Sequence, residues 1–393
     1  MKRVTARPEN PHQATLLRLL RERARSRAEL GDVAELSRSR LNLELDRLVE
    51  LRLVEQAGLA ASRGGRRSGM VRLAATMRFA GVDIGATSVD VAVTDGGLEV
   101  LGRASEPCDV RDGPVAVLDR ATEMLAKLRG QGLFTQLHGA GIGVPGPVSF
   151  REGMPVAPPI MPGWDRYPVR ETLGQELGCP VVVDNDVNIM ALGELHAGLA
   201  KQVDDFLFVK IGTGIGCGIV VDGKIYRGVS GSAGDIGHIR VDDAGPICAC
   251  GNAGCLEAYF GGAALAREAT AVAERSPYLG ERLRRTGALT GEDVAAAAEL
   301  GDAEAVRLIR DGGHRVGLVL AGLVSFFNPG LVIVAGGVAR LGHLLLAEIR
   351  SVVYRRSLPL ATGNLPIVLS ELGDSAGVIG AARLCSDHVF SAP

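Results

Sequence analysis

No stretch of this chain approaches the roughly 20 consecutive apolar residues that span a bilayer, although hydrophobic residues make up 47% of it. That argues against a helical membrane span and against a membrane partner. The opening stretch, MKRVTARPENPHQ, has no apolar centre of the kind a secretory signal carries, so the sequence predicts a cytoplasmic protein. Net charge is nearly absent as well, at −2. Cysteine is sparse, with seven residues in 393. A reducing cytoplasm disfavours structural disulfides, so a close Cys/His group there reads first as a metal site.

What is present is unevenly spread. Residues 1–78 hold 17 basic against 9 acidic side chains, about +8, and the remainder of the chain carries about −10. A small basic head on a larger acidic body points to nucleic acid as one partner. The length leaves room for two or three domains.

The head reads as three short helices. Leu16, Leu17, Leu19 and Leu20 make one apolar face, and Ser26 with Glu29 has the spacing of a capping box. In the third helix Ser37 is the natural cap, and Leu41, Leu45, Leu48 and Val49 recur at helical spacing. The short turn before Ser37 is that of a helix-turn-helix. It leaves Ser37, Arg38, Ser39, Arg40 and Asn42 where a recognition helix meets bases and phosphates. Val54–Gln56 and Met70–Leu73 then form a two-stranded wing whose tip carries Arg63, Arg66 and Arg67, suited to phosphate or minor-groove contact. The competing reading is a three-helix packing or dimerisation module with exposed arginines.

The body repeats itself. FAGVDIGATSVDVAVTDGG from Phe79 and FLFVKIGTGIGCGIVVDGK from Phe206 align without a gap at a shift of 127 residues. Each reads as strand, glycine turn, strand and Asp-Gly turn, which implies two similar lobes facing each other. The glycine turns, Gly85 with Thr87 and Gly212-Thr213-Gly214, offer amides and hydroxyls to phosphate on opposite sides of a cleft. Asp83 could hold Mg²⁺ through water, and the Gly336-Gly337 turn could approach a nucleotide's base or ribose. Gly-rich strand turns of this kind also occur for purely structural reasons.

The apolar strand Val181–Val183 delivers Asp184, Asn185, Asp186 and Asn188 at its end, where α/β sheets collect reactive groups. An Asp here could take a proton from a sugar hydroxyl attacking a γ-phosphate, with Asn185 fixing the sugar. At least one of the four is also expected to cap the following helix. Further on, His238, Cys248, Cys250 and Cys255 supply one imidazole and three thiolates. That set closes a tetrahedral zinc shell, and a closed shell argues for a structural ion.

These motifs give the chain its resemblance to the ROK family of repressors, open reading frames and sugar kinases. It rests on VDIGAT, GIGVPGPV, PPIMPGW, DNDVNIMALGE, KIGTGIGCG, GDIGH and the GxxCxCGxxGCxE pattern at 245–257, and it covers residues 79–393. The resemblance implies an α/β, actin-like (ribonuclease H-like) two-lobed domain behind a small winged helix-turn-helix. The expected division is 1–77 for the head and 78–393 for the body. Within the body, lobe one takes about 78–188 plus about 373–393, and lobe two about 189–372.

The resemblance makes Asp186 the catalytic base of a kinase, Asn185, Asp186, Asp235, His238 and Glu257 sugar ligands, and Gly85, Thr87 and Thr213 phosphate-loop positions. Three positions depart from the kinases. Asp83–Ser88 lacks a glycine and a lysine of the kinase loop, Asp235 stands where Glu is usual, and Ile160 stands where Asn is common. The expectation is therefore a DNA-binding, sugar-responsive regulator, a repressor of carbohydrate genes that acts as a homodimer or dimer of dimers on operator DNA. Structural zinc is its cofactor, and ATP with Mg²⁺ enters only if kinase activity survives. Two alternatives stand beside it: an ATP-dependent sugar kinase with an appended head, and a regulator whose cleft has lost its ligand and answers a protein partner.

Overall fold

The structure of the chain, a computed structural model, describes residues 7–59 and 69–392. It divides into two compact units, Met1–Leu192 with Gly377–Pro393, and Gly193–Ala376. The first unit opens with α1 (Pro11–Glu22), β1 (Arg25–Ser26), α2 (Arg27–Val33), α3 (Arg38–Glu50), β2 (Val54–Leu59) and β3 (Gly69–Leu73). Asn10 caps α1 by accepting from the amides of His12 and Gln13, with Pro11 at the first helical position. Ser26 accepts from the Glu29 amide and Ser37 from the Arg40 amide. The Glu29 carboxylate is drawn to Arg23 and Arg25, so the expected capping box is only half made.

Leu16, Leu17, Leu20, Leu41, Leu45 and Leu48 are buried, whereas Val49, grouped with them by spacing, is 41% exposed on the last turn of α3. Val54 opposes Leu73 and Gln56 opposes Val71, the wing pairing expected from sequence. β1 adds a third strand to β3. Three helices and a small antiparallel sheet are the plan of a winged helix. The predicted wing tip, Arg63, Arg66 and Arg67, lies outside the described residues.

The first unit continues through β4 (Phe79–Ile84), β5 (Ser88–Thr94), β6 (Val100–Pro107), α4 (Pro114–Gly130), β7 (Gly139–Val144), the short pair β8 (Val148–Ser149) and β9 (Met154–Pro155), α5 (Val169–Leu177), β10 (Val181–Asn185) and α6 (Asp186–Ala197). Its main sheet runs β10-β7-β4-β5-β6. β4, β5 and β6 are antiparallel, and β7 and β10 join in parallel.

The second unit holds β11 (Phe206–Ile211), β12 (Ile215–Val221), β13 (Lys224–Ile225), α7 (Leu256–Phe260), α8 (Gly262–Val272), α9 (Pro277–Thr286), α10 (Gly291–Glu299), α11 (Ala303–Phe327), β14 (Leu331–Ala335), α12 (Gly342–Arg356), α13 (Pro359–Thr362) and β15 (Ile367–Leu369). Its sheet, β13-β12-β11-β14-β15, repeats the pattern of three antiparallel strands extended by two parallel ones. The repeat read from the sequence is thus a repeat of topology. Two ribonuclease H-like sheets in one chain make the two-lobed, actin-like α/β architecture.

A last helix, α14 (Ser375–Val389), returns the chain to the first unit. It lies directly on β4 and β7, because the facing residues have no side chains to hold it away. A Cβ on Gly81 would come 1.9 Å from the Val378 carbonyl oxygen, and one on Gly141 1.8 Å from that of Ala381. At its far end α14 enters the core of the head, where Ala382, Cys385, Val389 and Phe390 share one hydrophobic cluster with Leu16, Leu20 and Leu45. Arg21 of α1, only 7% exposed, reaches into that junction. It donates to Ser386 Oγ at 3.1 Å and Asp387 Oδ1 at 2.6 Å and lies over the Phe390 ring.

Candidate functional site

The first unit assembles its polar residues at one end of the main sheet. Strand β10 ends at Asn185 and α6 starts at the next residue. Asn185 is the cap: its Oδ1 accepts from the Val187 amide at 2.9 Å, and its Nδ2 donates to the Gly146 carbonyl at 2.9 Å. Asp184 Oδ1 accepts from the Asn185 amide and from Asn188 Nδ2, at 2.8 and 2.9 Å. That one acid and two amides hold the strand-to-helix turn, and the buried Asp186 joins them, its Oδ1 accepting from the Val187 amide at 2.9 Å. Asp83 belongs to the same end. Its register partner on β7 is Gly143, where a Cβ would come 3.4 Å from the Asp186 Cα. Gly85 closes the β4–β5 turn by donating to the Ser88 carbonyl, which leaves Thr87 exposed at its tip.

The second unit gathers a second set. The Gly212 amide donates to the Gly214 carbonyl at 2.9 Å, and the Gly262 amide donates to the Gly212 carbonyl at 2.7 Å. Gly336 sits against the same turn, since a Cβ there would come 2.5 Å from Ile211 O. Gly337 follows it. Thr213 is exposed at the tip. Glu257 is fastened to this turn through Oε2, which accepts from the Ile215 amide at 2.9 Å. The Gly261-Gly262 pair beneath the turn carries no signal in the sequence beyond two adjacent glycines.

Glu257 also lies in the first turn of α7, the helix that leaves the Cys/His cluster. His238, Cys248, Cys250 and Cys255 place their ligand atoms within 4.8 Å of one another. Cys248 Sγ is 3.5 Å from His238 Nδ1, and Cys250 Sγ is 3.7 Å from Cys255 Sγ. Ordinary Zn–N and Zn–S bonds give a tetrahedron whose N···S and S···S edges are about 3.6 and 3.8 Å. The donor set and its spacing therefore fit a tetrahedral cation of that kind. Burial pushes the Cys255 thiol up to about 12 and also raises Cys248, while the Asn252 amide lowers Cys250. A cation binding here would displace protons from the thiols.

The loop is short because Gly254 lets it fold back: at φ 76° its α-carbon passes so close to Asp242 that a Cβ would be 1.6 Å from the carbonyl oxygen. Tyr259 buttresses it, donating to Asp242 Oδ2 at 2.6 Å while Arg315 stacks 3.9 Å over its ring. Sequence reading did not find this buttress, whose cation is 56 positions downstream. His238 Nε2, the nitrogen turned away from Cys248, is 3.8 Å from Asp235 Oδ1. That separation exceeds a hydrogen bond.

In the head, Ser37, Arg38, Ser39 and Arg40 are exposed on α3. Arg40 pairs with the buried Glu44 at 2.7 Å, and Glu44 also accepts from Asn10 and Gln13. Asn42 is half-buried and accepts from Arg27 at 2.8 Å. Arg40 thus stays exposed while paired within α3, and Asn42 is engaged by Arg27 of α2. Arg38 and Ser39 keep the outward position.

A profile described as the ROK family matches residues 79–388. A glucokinase of Halalkalibacterium halodurans is 33% identical over 311 residues, 78% of this chain and 94% of the relative. A putative xylose repressor of Caldicellulosiruptor sp. is 29% identical over 383 residues, 95% of each chain. Among solved structures, a ROK family transcriptional regulator described as a homolog of the E. coli MLC protein superposes with a TM-score of 0.80, at 26% identity over 96% of both chains. With a match spanning both sheets and the Cys/His loop, the chain belongs to the ROK family.

Proposed function

We propose that this protein is a DNA-binding transcriptional regulator that responds to a sugar, a repressor of carbohydrate genes whose sugar end is braced by zinc. The observation that carries the reading is how far each relative extends. The glucokinase is matched along nearly its whole length yet leaves about a fifth of this chain uncovered, whereas the putative xylose repressor is matched through 95% of both. The family match begins at residue 79, which leaves the basic head outside it, and the exposed Arg38 and Ser39 on α3 suit phosphate and base contact.

In this reading Asn185, Asp186, Asp235, His238 and Glu257 bind sugar hydroxyls. His238, Cys248, Cys250 and Cys255 hold Zn²⁺, which fixes the loop carrying Asp235 and Glu257. Residues 1–77 form the DNA-binding domain. Linkage requires the sugar to bind the DNA-free form more tightly, and it then lowers operator affinity by that same factor. Gel-shift titration of the full chain on its own promoter DNA, with pentoses and hexoses, tests this. A tenfold or greater loss of affinity with one sugar is expected. Operator binding indifferent to every sugar, together with no calorimetric heat of sugar binding, would sink the sensor.

One observation favours a second reading, an ATP-dependent sugar kinase. The Asp expected of a general base is present as Asp186, buried at the start of α6. Asp83, Gly85, Thr87, Gly212, Thr213, Gly214, Gly336 and Gly337 would then serve ATP and Mg²⁺. ADP release on sugar addition that Asp186→Asn abolishes would put the kinase first.

A further inference from the structure

The Cys/His loop is held by more than its own four ligand-type residues, and the rest of the support comes from α11, which carries none of the site residues. α7 is five residues long and leaves the loop directly, with Cys255 as its cap residue. Its far end is seated on α11. Gly312 there has no side chain, and a Cβ would fall 1.8 Å from the Phe260 ring. Arg315 follows three residues later, on the same face of the helix, and its guanidinium lies 3.9 Å over the ring of Tyr259. The Tyr259 hydroxyl in turn donates to Asp242 Oδ2 at 2.6 Å. Asp242 Oδ1 accepts from the Ala244 amide at 3.0 Å, so the two oxygens fasten the loop to itself and to α7. This contact falls where the chain enters and leaves the loop. Arg240 and Cys255 face each other in an antiparallel bridge. The Val241 amide donates to the Gly254 carbonyl at 2.8 Å, and the Leu256 amide to that of Ile239 at 3.0 Å.

We propose that Tyr259, Arg315 and Asp242 are positioning residues that preassemble the Cys/His cluster, so that the affinity and release of its metal are set from α11 as well as by the ligands. The inference rests on the reading of the cluster as a metal site and needs neither the DNA nor the sugar reading. Four ligand atoms drawn from the stretch between His238 and Cys255 must converge within 4.8 Å. If the loop is closed before the ion arrives, the entropy of ordering it is not taken out of metal binding. The clip does this closing. Tyr259 ties Asp242, near the loop's entry, to the helix that starts at Cys255, and Arg315 pins the phenol ring against movement. Gly245 lies against the same hydroxyl, since a Cβ there would come 2.6 Å from Tyr259 Oη, so the clip is packed on its loop side too. Groups that orient metal ligands without touching the ion typically change affinity 10–100-fold when removed.

The test loads the full chain with Co²⁺, whose visible bands report a tetrahedral thiolate set, and follows its release to excess chelator. Tyr259→Phe keeps the ring beneath Arg315 and removes the donor to Asp242. Arg315→Met keeps the length and removes the charge. Each is expected to weaken cobalt binding about 10–100-fold, through faster release and with unchanged band positions, because the ligands are the same. Arg315→Lys is expected to restore most of the loss. The double variant is expected to lose less than the product of the single losses, because both act through one contact. In the metal-free parent the Val241 and Leu256 amides are expected to resist hydrogen exchange, and in Tyr259→Phe to lose that protection. Variants that release cobalt at the parent's rate overturn the proposal, as does a metal-free parent whose two amides exchange freely. Cobalt loss that appears only where circular dichroism shows the helices melting overturns it equally. A parent that takes up neither cobalt nor zinc removes the metal reading itself, and this inference with it.

Discussion

Arg21 and Asp387 stand 366 positions apart and meet inside the junction between α1 and α14. Breaking that pair should show whether the head and the lobe behind it unfold as one. The two deletions are not equivalent. Asp387→Ala strands a guanidinium whose side chain is only 6% exposed, with Ser386 Oγ as its remaining acceptor of the pair described here. Removing one partner of a buried ion pair costs about 3–5 kcal/mol. The lower end applies, because the Asp387 side chain is itself 39% exposed. Arg21→Ala leaves Asp387 with Arg383 at 2.9 Å, and is expected to cost about 2 kcal/mol, much of it from lost packing on Phe390. Arg21→Met with Asp387→Leu, which removes both charges and keeps the volume, should be close to neutral.

The assay uses the only tryptophan. Trp164 is fully buried in the first unit, its indole N–H donating to the Val110 carbonyl at 3.0 Å, so its fluorescence reports that unit alone. For a unit of this size the urea slope is about 2–3 kcal/mol per molar. A 3 kcal/mol loss from Asp387→Ala thus moves the midpoint down by about 1–1.5 M. Burial works against ionisation of Asp387, but Arg21 and Arg383 hold its carboxyl below the usual range. Its contribution is then fully present above the unfolded value of about 3.9 and is lost as pH falls through the lower folded value. The gap between parent and Asp387→Ala should therefore be constant from pH 7 to about 5 and narrow below about 4. An Arg21 or Asp387 variant that leaves the Trp164 transition unmoved, while helix content melts in a separate earlier step, would refute the shared core.

Three further outcomes are expected. Elemental analysis should find one zinc per chain, falling to a trace in Cys250→Ser, and a parent purified under reducing conditions with no metal would count against the loop's reading. Gly141→Ala should destabilise the first unit by about 3 kcal/mol, the upper range for overpacking, because the contact is with α14 backbone rather than a movable side chain; a Trp164 midpoint within 0.2 M of the parent would contradict that. Arg38→Ala should weaken binding across DNA sequences and reduce the salt slope by about 1, whereas a slope unchanged by the substitution would remove Arg38 from the phosphate contacts.

The features legible in sequence were local or repeated. The four residues of the Cys/His cluster fall within 18 residues, and the glycines between them leave a tight loop as the natural reading. The paired sheets were legible because two hairpins align without a gap. Contacts joining distant segments were not. Nothing in the spacing of Gly81 and Gly141 says that a helix some 240 to 300 residues later rests its backbone on them. Arg40 and Asn42 show the complementary limit: their positions on α3 were legible, but not the side chains that also reach them, Glu44 on the same helix and Arg27 on α2.

Glu257 carries the same lesson into the site itself. By resemblance it is one sugar ligand among several. In the structure one of its oxygens is already spent on the Ile215 amide, and Gly214 has no room for a side chain because a Cβ there would come 2.6 Å from that same oxygen. Glu257 also follows Cys255 by two residues, so the Cys/His loop and the Gly212–Gly214 turn are joined through a single carboxylate. A change in the metal loop that shifts α7 must therefore either break the Ile215 bond or drag the turn with it. A cation held by the loop would then act on the Gly212–Gly214 turn through Glu257 as well as through His238, for as long as Glu257 stays where Cys255 holds it.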